Sequence, residues 1–400
     1  MSVWWFFSLR EPGFAIAREQ KKSDFWHDMR TTANNRTFII LTVAIFTLAM
    51  GFNFVGSFAN YITIFYLYGG DVKAASTLLG ICGTVWAITA LVAVFPLNWL
   101  GKRLGKSNTL LVAILLMCAA QLSKIVCYHP GTLGTLPDWI SNLFNRGPIT
   151  IEGPYLILIP TMLLSAGMLM FFTLGSSMVG DVCDEDELNT GTRSEGTYYS
   201  VFWWFIKMGS AFASFVMGAL LVYTSFDERQ NVLMDALAGN IAIVNAEADA
   251  WATGEAAAVE RAKKLTTQAD EIIANAGKLR SHLERRLADH PDQAGHTRDL
   301  LSHLQGVENR AESLRSGEVT ASRTSLLETA SELLQHSMFL RKQSPITLFR
   351  LRFVEIGLPL ALSVVSILLT LRYPLTEARC YEIKEALKKR RVELAVAPAT

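Results

Sequence analysis

Two groups of residues are of a kind and spacing that can do chemistry. The first is a single lysine. Lys207 lies in YYSVFWWFIKMGSAFASF, roughly ten residues into an apolar run, which puts it about 15 Å along a helix from the start of that run. If the run crosses a bilayer, the ammonium lies near its centre, where a charge costs at least about 2.5–3.5 kcal/mol and by default faces a polar cavity or a counter-ion. A shifted boundary, or a lysine held neutral against a backbone carbonyl, would account for it without a function. The residues Gly209, Ser210, Ala211, Ala213 and Ser214 that follow form a small-residue face on which helices pack closely or slide. The second group is acidic, in GDVCDEDELNTGTRSEGTYYS at 180–200. Asp181 and Asp184 are three apart and share a helix face if a helix continues into this stretch, and Arg193 can pair with either. Alternatively, Thr192 and Glu195 form a capping box for the next helix and the acids are simply hydrated.

No other chemistry is legible. The seven histidines are dispersed, and no nucleophile motif, metal cluster or Gly-rich phosphate loop is present, so no catalytic residue, metal ligand or cofactor is assigned and an enzyme is not expected. The five cysteines fall mostly in or beside apolar runs without CxxC or Cys/His spacing, as buried, inert thiols do. Lys plus Arg is 37 against 36 Asp plus Glu, so no global field points to nucleic acid or to an acidic partner.

The elements that must position these residues are long and apolar. Half of the 400 residues are hydrophobic, 18% are charged and the mean hydropathy is +0.27, a balance suited to lipid. About 20 apolar residues cross the hydrocarbon as a helix, and six stretches qualify, near 37–66, 76–100, 107–127, 154–179, 197–223 and 353–373. Gly51 and Gly56 in the first admit a close helix neighbour. Lys and Arg concentrate before the first span, in GKRLGK at 101–106 and in the tail after 373, which sets that side, with both termini, in the cytoplasm. The polar stretch 226–350 then lies outside. Met1–Leu9 is apolar but lacks a basic n-region, and it is not expected to be a cleavable signal peptide.

Residues 180–215 resemble the helix-ten to helix-eleven signature of the glycoside-pentoside-hexuronide:cation symporters, the melibiose permease family of the major facilitator superfamily. The resemblance is carried by an acidic pair, then TGTRSEG, Tyr-Ser, and Lys207 followed by GSAFA. NNRTF at 34–38, GKRLGK, SPITLFRLRF at 344–353 and YPLTEARCYEIKEALKKRR at 373–391 resemble other segments of that family, so the likeness covers 1–225 and 343–391. It implies that Lys207 lies near a shared cation and sugar site, and that Asp181, Asp184 and Arg193 pair to close the cytoplasmic side. Where the family has polar residues before the lysine, this chain has Phe202, Trp203 and Trp204, suited to a sugar ring or an apolar substrate and equally to lipid or packing.

The expected fold class is an all-α membrane protein: a six-transmembrane-helix bundle of the major facilitator type, corresponding to a C-terminal half, plus an extramembrane helical insertion. Its expected parts are the end of a preceding helix and a central loop (1–36), five spans (37–225), a periplasmic insertion (226–350), the last span (351–373) and a cytoplasmic tail (374–400). Helical composition near 228–250, 255–288, 296–314 and 318–340, interrupted at Gly239, Gly254, 289–295 and Ser316-Gly317, points to a marginal hairpin or bundle with an irregular repeat. The resemblance implies sodium- or proton-coupled symport of a sugar or glycoside across the inner membrane, with an N-terminal half as partner. That half is to supply the acid facing Lys207, because none is assigned to the spans of this chain. The rival readings are a membrane-anchored interaction protein using the insertion, and a truncated transporter fragment.

Overall fold

In the computed structural model, residues 30, 32–135, 150–191, 194–250, 255–317 and 322–396 are described. Helix α1 (Arg36–Tyr61) begins where the Asn35 side chain accepts from the Phe38 amide, and it runs into a π-helical turn, Ile62–Leu67. Asp71 caps α2 (Val72–Cys127), accepting from the amide of Ala74. This 56-residue helix is well over twice what one bilayer crossing needs, and it is divided at Gly105 (φ 76°, ψ 169°). The basic segment 101–106, expected as a loop, is helical up to that break. α3 (Leu158–Thr190) follows a 3₁₀ turn, Gly153–Ile157, and ends on left-handed Gly191, whose amide returns to the Glu187 carbonyl at 2.9 Å. α4 (Glu195–Tyr223) has Ser194 as its N-cap, without a side-chain cap bond. Thr192 itself lies outside the described residues.

Four further helices form the insertion: α5 (Glu228–Asp249), α6 (Glu255–Asp289), α7 (Ala294–Ser316) and α8 (Arg323–Leu340). The last apolar helix, α9 (Pro345–Leu371), is followed by α10 (Glu377–Val396). Among the described residues five helices are long and apolar enough to cross a membrane: α1 with its π turn, α2, α3 with its 3₁₀ turn, α4 and α9. The two arms of α2 bring the apolar segments to six. Among the described residues a short antiparallel ribbon, β1 (Thr132–Thr135) with β2 (Thr150–Glu152), lies between α2 and α3.

The apolar helices bury one face each. α3 lies along α2, α9 along α1, and α1 along α4. Phe38, Leu41, Ile45 and Leu48 of α1 meet Leu110, Ile114, Met117, Phe171, Leu174 and Phe202 in one core. Gly51 fulfils its expected role, since a Cβ there would lie 3.4 Å from the Pro359 Cα of α9. Gly56 does not, because nothing lies within 4 Å of its place. The small-residue stripe of α4 divides: Gly209 and Ala213 face α1 and are buried, whereas Ala211 and Ser214 are exposed.

The insertion departs from the marginal, irregular bundle expected. Its core residues recur at alternating steps of three and four: Met234, Leu237, Ile241, Val244 and Ala248 in α5; Leu265, Ala269, Ile272, Ala276, Leu279 and Leu283 in α6; Leu300, Leu304, Val307, Ala311 and Leu314 in α7. In α8, Leu326, Ala330, Leu333 and Leu340 keep the same step, with buried Ser337 completing it. That is the seam of a left-handed helical bundle. Neighbours close in a ring, α5 with α6, α6 with α7, α7 with α8 and α8 with α5. The alanines of this repeat are seam residues that let the helices approach. Gly239 does not interrupt α5.

Candidate functional site

Lys207 is exposed on the side of α4 opposite the buried Phe202, Ile206 and Gly209. It lies in an open groove of about 550 Å³ with Tyr199, Ser200, Trp203 and Trp204. Trp203 stacks on Phe172 (centroids 6.4 Å apart, planes at 12°), and Trp204 stands edge-on to Phe205 at 5.1 Å. These contacts fix the rings yet leave 41% of Trp203 and 55% of Trp204 uncovered. A second, apolar groove of about 590 Å³ runs between α1 and α4, past Phe38, Thr42 and Phe205, and shares Ser200 and Trp204 with the first. Lys207, Trp203 and Trp204 are therefore brought together on one aromatic face. Lys207 makes no ion pair with a described residue.

The acidic segment continues α3, and Asp181 is 5% exposed within it. Its described partners are two lysines. Lys106 Nζ lies 2.5 Å from Asp181 Oδ2, and Lys384 Nζ lies 2.9 Å from Oδ1. One carboxylate thus joins the second arm of α2, α3 and the tail helix α10. The hydrogen bond to Asp181 raises the Lys384 pKa above its ordinary value, with the field of Asp184 adding to it. Glu377 strengthens the junction by accepting from the Lys106 amide at 3.2 Å, beside the Gly105 break. Arg193 lies outside the described residues.

A third polar group was not anticipated. Lys124 in the second arm of α2 is ion-paired with Glu355 of α9, and the two side chains are 5% and 0% exposed. The Tyr128 hydroxyl donates to the same Glu355 oxygen at 3.0 Å. Arg352, one turn before Glu355, donates to the Tyr66 hydroxyl at 2.7 Å and lies 4.4 Å from that ring's centroid. Tyr66 belongs to the π-helical turn, a distortion that often marks functional positions. Lys124 and Tyr128 also line a cavity of about 260 Å³ with Phe52, Trp86, Thr161 and Leu164. The one acid expected from outside this chain was the partner of Lys207; Glu355, inside the last assigned span, pairs with Lys124 and not with Lys207. The signal was present as one acid and one base in two of the assigned spans.

Among the described residues no cluster of three or more His, Cys, Asp or Glu can hold a metal ion. The sequence profile of the MFS/sugar transport protein family matches residues 10–244, more than half of the chain. An uncharacterized symporter of Synechocystis is 28% identical over 173 residues, 39% of this chain and 31% of that protein. An isoprimeverose transporter of Lactiplantibacillus pentosus is 28% identical over 156 residues, 38% of this chain and 26% of that protein. The matched regions thus span less than a third of either relative. With its apolar helices and the extent of the profile match, the chain belongs to the MFS/sugar transport protein family.

Proposed function

We propose that this chain acts in cation-coupled sugar symport by alternating access, its six apolar segments forming the C-terminal bundle against a second, N-terminal one. The observation that carries this reading is the outward face of α4. Lys207 is a charge in the middle of an apolar helix, exposed beside two half-uncovered tryptophans and without a described carboxylate partner. Such a charge needs a polar surface or a counter-ion opposite it. A second bundle carrying acidic residues supplies both, and the substrate then binds near the midplane between the two. The tryptophan faces suit a pyranose ring, and one relative's name, isoprimeverose transporter, supports a saccharide solute. The other relative's name supports symport, with sodium or a proton as the coupling ion.

In this reading Asp181, Asp184 and Arg193 belong to the cytoplasmic gate, with Lys106 and Lys384 holding Asp181 in place. The chain resides in the inner membrane with both termini cytoplasmic and the α5–α8 bundle outside. The test is uptake of labelled isoprimeverose and of simple xylosides by cells carrying the complete two-bundle transporter. Lys207→Ala is expected to abolish accumulation while leaving the amount of inserted protein unchanged. Parental uptake that still requires the cation gradient would place the site elsewhere.

A further inference from the structure

Five of the seven histidines belong to the α5–α8 bundle, and they gather at one end of it. His282 lies in the last two turns of α6 and His290 directly after it, His296 and His303 lie in the first three turns of α7, and His336 lies in the last turn of α8. This is the end where the bundle joins α4 and α9. His282 Nε2 is 2.8 Å from Asp227 Oδ2, and Arg286 lies 3.2 Å from the same oxygen. His296 Nε2 donates to the Lys342 carbonyl at 3.1 Å, in the link between α8 and α9. His303 and His336 meet across α7 and α8 with their Nδ1 atoms 3.0 Å apart.

The last contact is built for its occupants. The His303 ring stacks on Phe339 with centroids 3.8 Å apart and planes at 25°. The His336 ring rests against α7 at Gly306, where a Cβ would stand 2.7 Å from it. Any larger residue at Gly306 would push the imidazole away.

We propose that this histidine layer is a pH-sensitive joint, in which full protonation of the His303–His336 pair separates α7 from α8 beside the membrane and loosens the bundle from α9. A bond between two Nδ1 atoms needs one nitrogen protonated and the other bare. It survives a first added proton, because an imidazolium still donates to a neutral imidazole. The second proton leaves two donors facing each other at 3.0 Å.

The charged groups around the pair oppose that second proton. Asp299 of α7 and Lys342 of the α8–α9 link act on His303, as its partner His336 does, and Asp299, Lys342 and Arg286 of α6 act on His296. Asp299 is the one carboxylate in this set and favours protonation. Burial, with His336 and Lys342, outweighs it and holds the His303 pKa below its ordinary value, and burial with Arg286 and Lys342 does the same for His296. Asp227 is already engaged by His282 and Arg286, and Asp292 by Arg350 at 3.3 Å. A histidine whose folded pKa lies below its unfolded value stabilises the fold above the unfolded value, and that stability is lost as pH falls through the folded one. The loss reaches the spans directly. Gln230 donates to the Leu340 and Lys342 carbonyls, so the bonds that steady the link lie within five residues of the start of α9 at Pro345.

Spin labels at the exposed positions Ser302 and Gln335, on α7 and α8, test this in the full chain in lipid nanodiscs by dipolar electron paramagnetic resonance. The separation is expected to be narrow above about pH 7 and to lengthen and broaden with a midpoint below about 6.5, the ordinary imidazole value. His303→Gln, which prevents a doubly charged pair, is expected to stay narrow throughout, and His336→Gln serves the same purpose if the first variant does not fold. A parental distance unchanged down to about pH 5, or equal broadening in the glutamine variant, would overturn the proposal. No solute enters the measurement, so its failure leaves the transport reading untouched.

Discussion

Removing the carboxylate of Glu355 is expected to be among the most destabilising single changes in the apolar bundle. Glu355 is fully buried and is the counter-ion of Lys124, itself 5% exposed, and it also accepts from Tyr128. Leaving one member of a buried pair uncompensated costs about 3–5 kcal/mol, whereas replacing both by apolar groups of similar volume is often neutral. Glu355→Ala should therefore lose about 3–5 kcal/mol. Glu355→Gln keeps an acceptor for Lys124 and Tyr128 and should lose about 1–2 kcal/mol, the difference between a charged and a neutral hydrogen bond. The double variant Lys124→Met/Glu355→Leu should recover most of the loss. The assay is a double-mutant cycle from reversible denaturant unfolding of the detergent-solubilised chain, followed by tryptophan fluorescence. If Glu355→Ala loses under about 1 kcal/mol, or the double variant is as unstable as the two singles added, the pair is not the isolated buried ion pair described here.

Three further outcomes are expected. Asp181→Asn should release α10 from the bundle, seen as faster amide exchange over 377–390; in the parent, Lys384 holds its contribution below the unfolded lysine value of about 10.4 and loses it as pH rises through the folded value, so α10 should also loosen in alkali. Gly70→Ala should cost about 1–3 kcal/mol, because φ is +97° and a Cβ would lie 2.6 Å from the Arg341 Cβ of the insertion, while Gly80→Ala, in an open helical position, should be neutral or stabilising in the same unfolding measurement. A cysteine at the exposed Asp270 should react with an impermeant thiol reagent in intact cells if the α5–α8 bundle lies outside, and only after lysis if the orientation is reversed.

Local properties of the chain were legible without the structure. Hydropathy and length located the apolar helices, since lipid leaves a spanning helix little choice of composition. The same argument singled out Lys207, whereas Trp203 and Trp204 came in through the family resemblance of the segment before it, and the structure sets them in one groove with it. The three-four repeat of the insertion was also in the sequence. It was read as irregular because seam positions such as Ala269, Ala276 and Ala311 look featureless until the helices they separate are seen in contact.

What only the tertiary structure decided is which distant charges meet. Lys124 and Glu355 are 231 positions apart, and Asp181 meets Lys106 and Lys384 across 75 and 203. Periodicity assigns a residue to a face of its own helix and says nothing of the helix opposite, so it could not name the two lysines that meet Asp181. The joining of His303 to His336 across 33 positions has the same origin, because the pair exists only where α7 and α8 pack and where Gly306 leaves room for the ring. Composition reports the cost of burying a charge, but the identity of its partner depends on how the helices are arranged against one another.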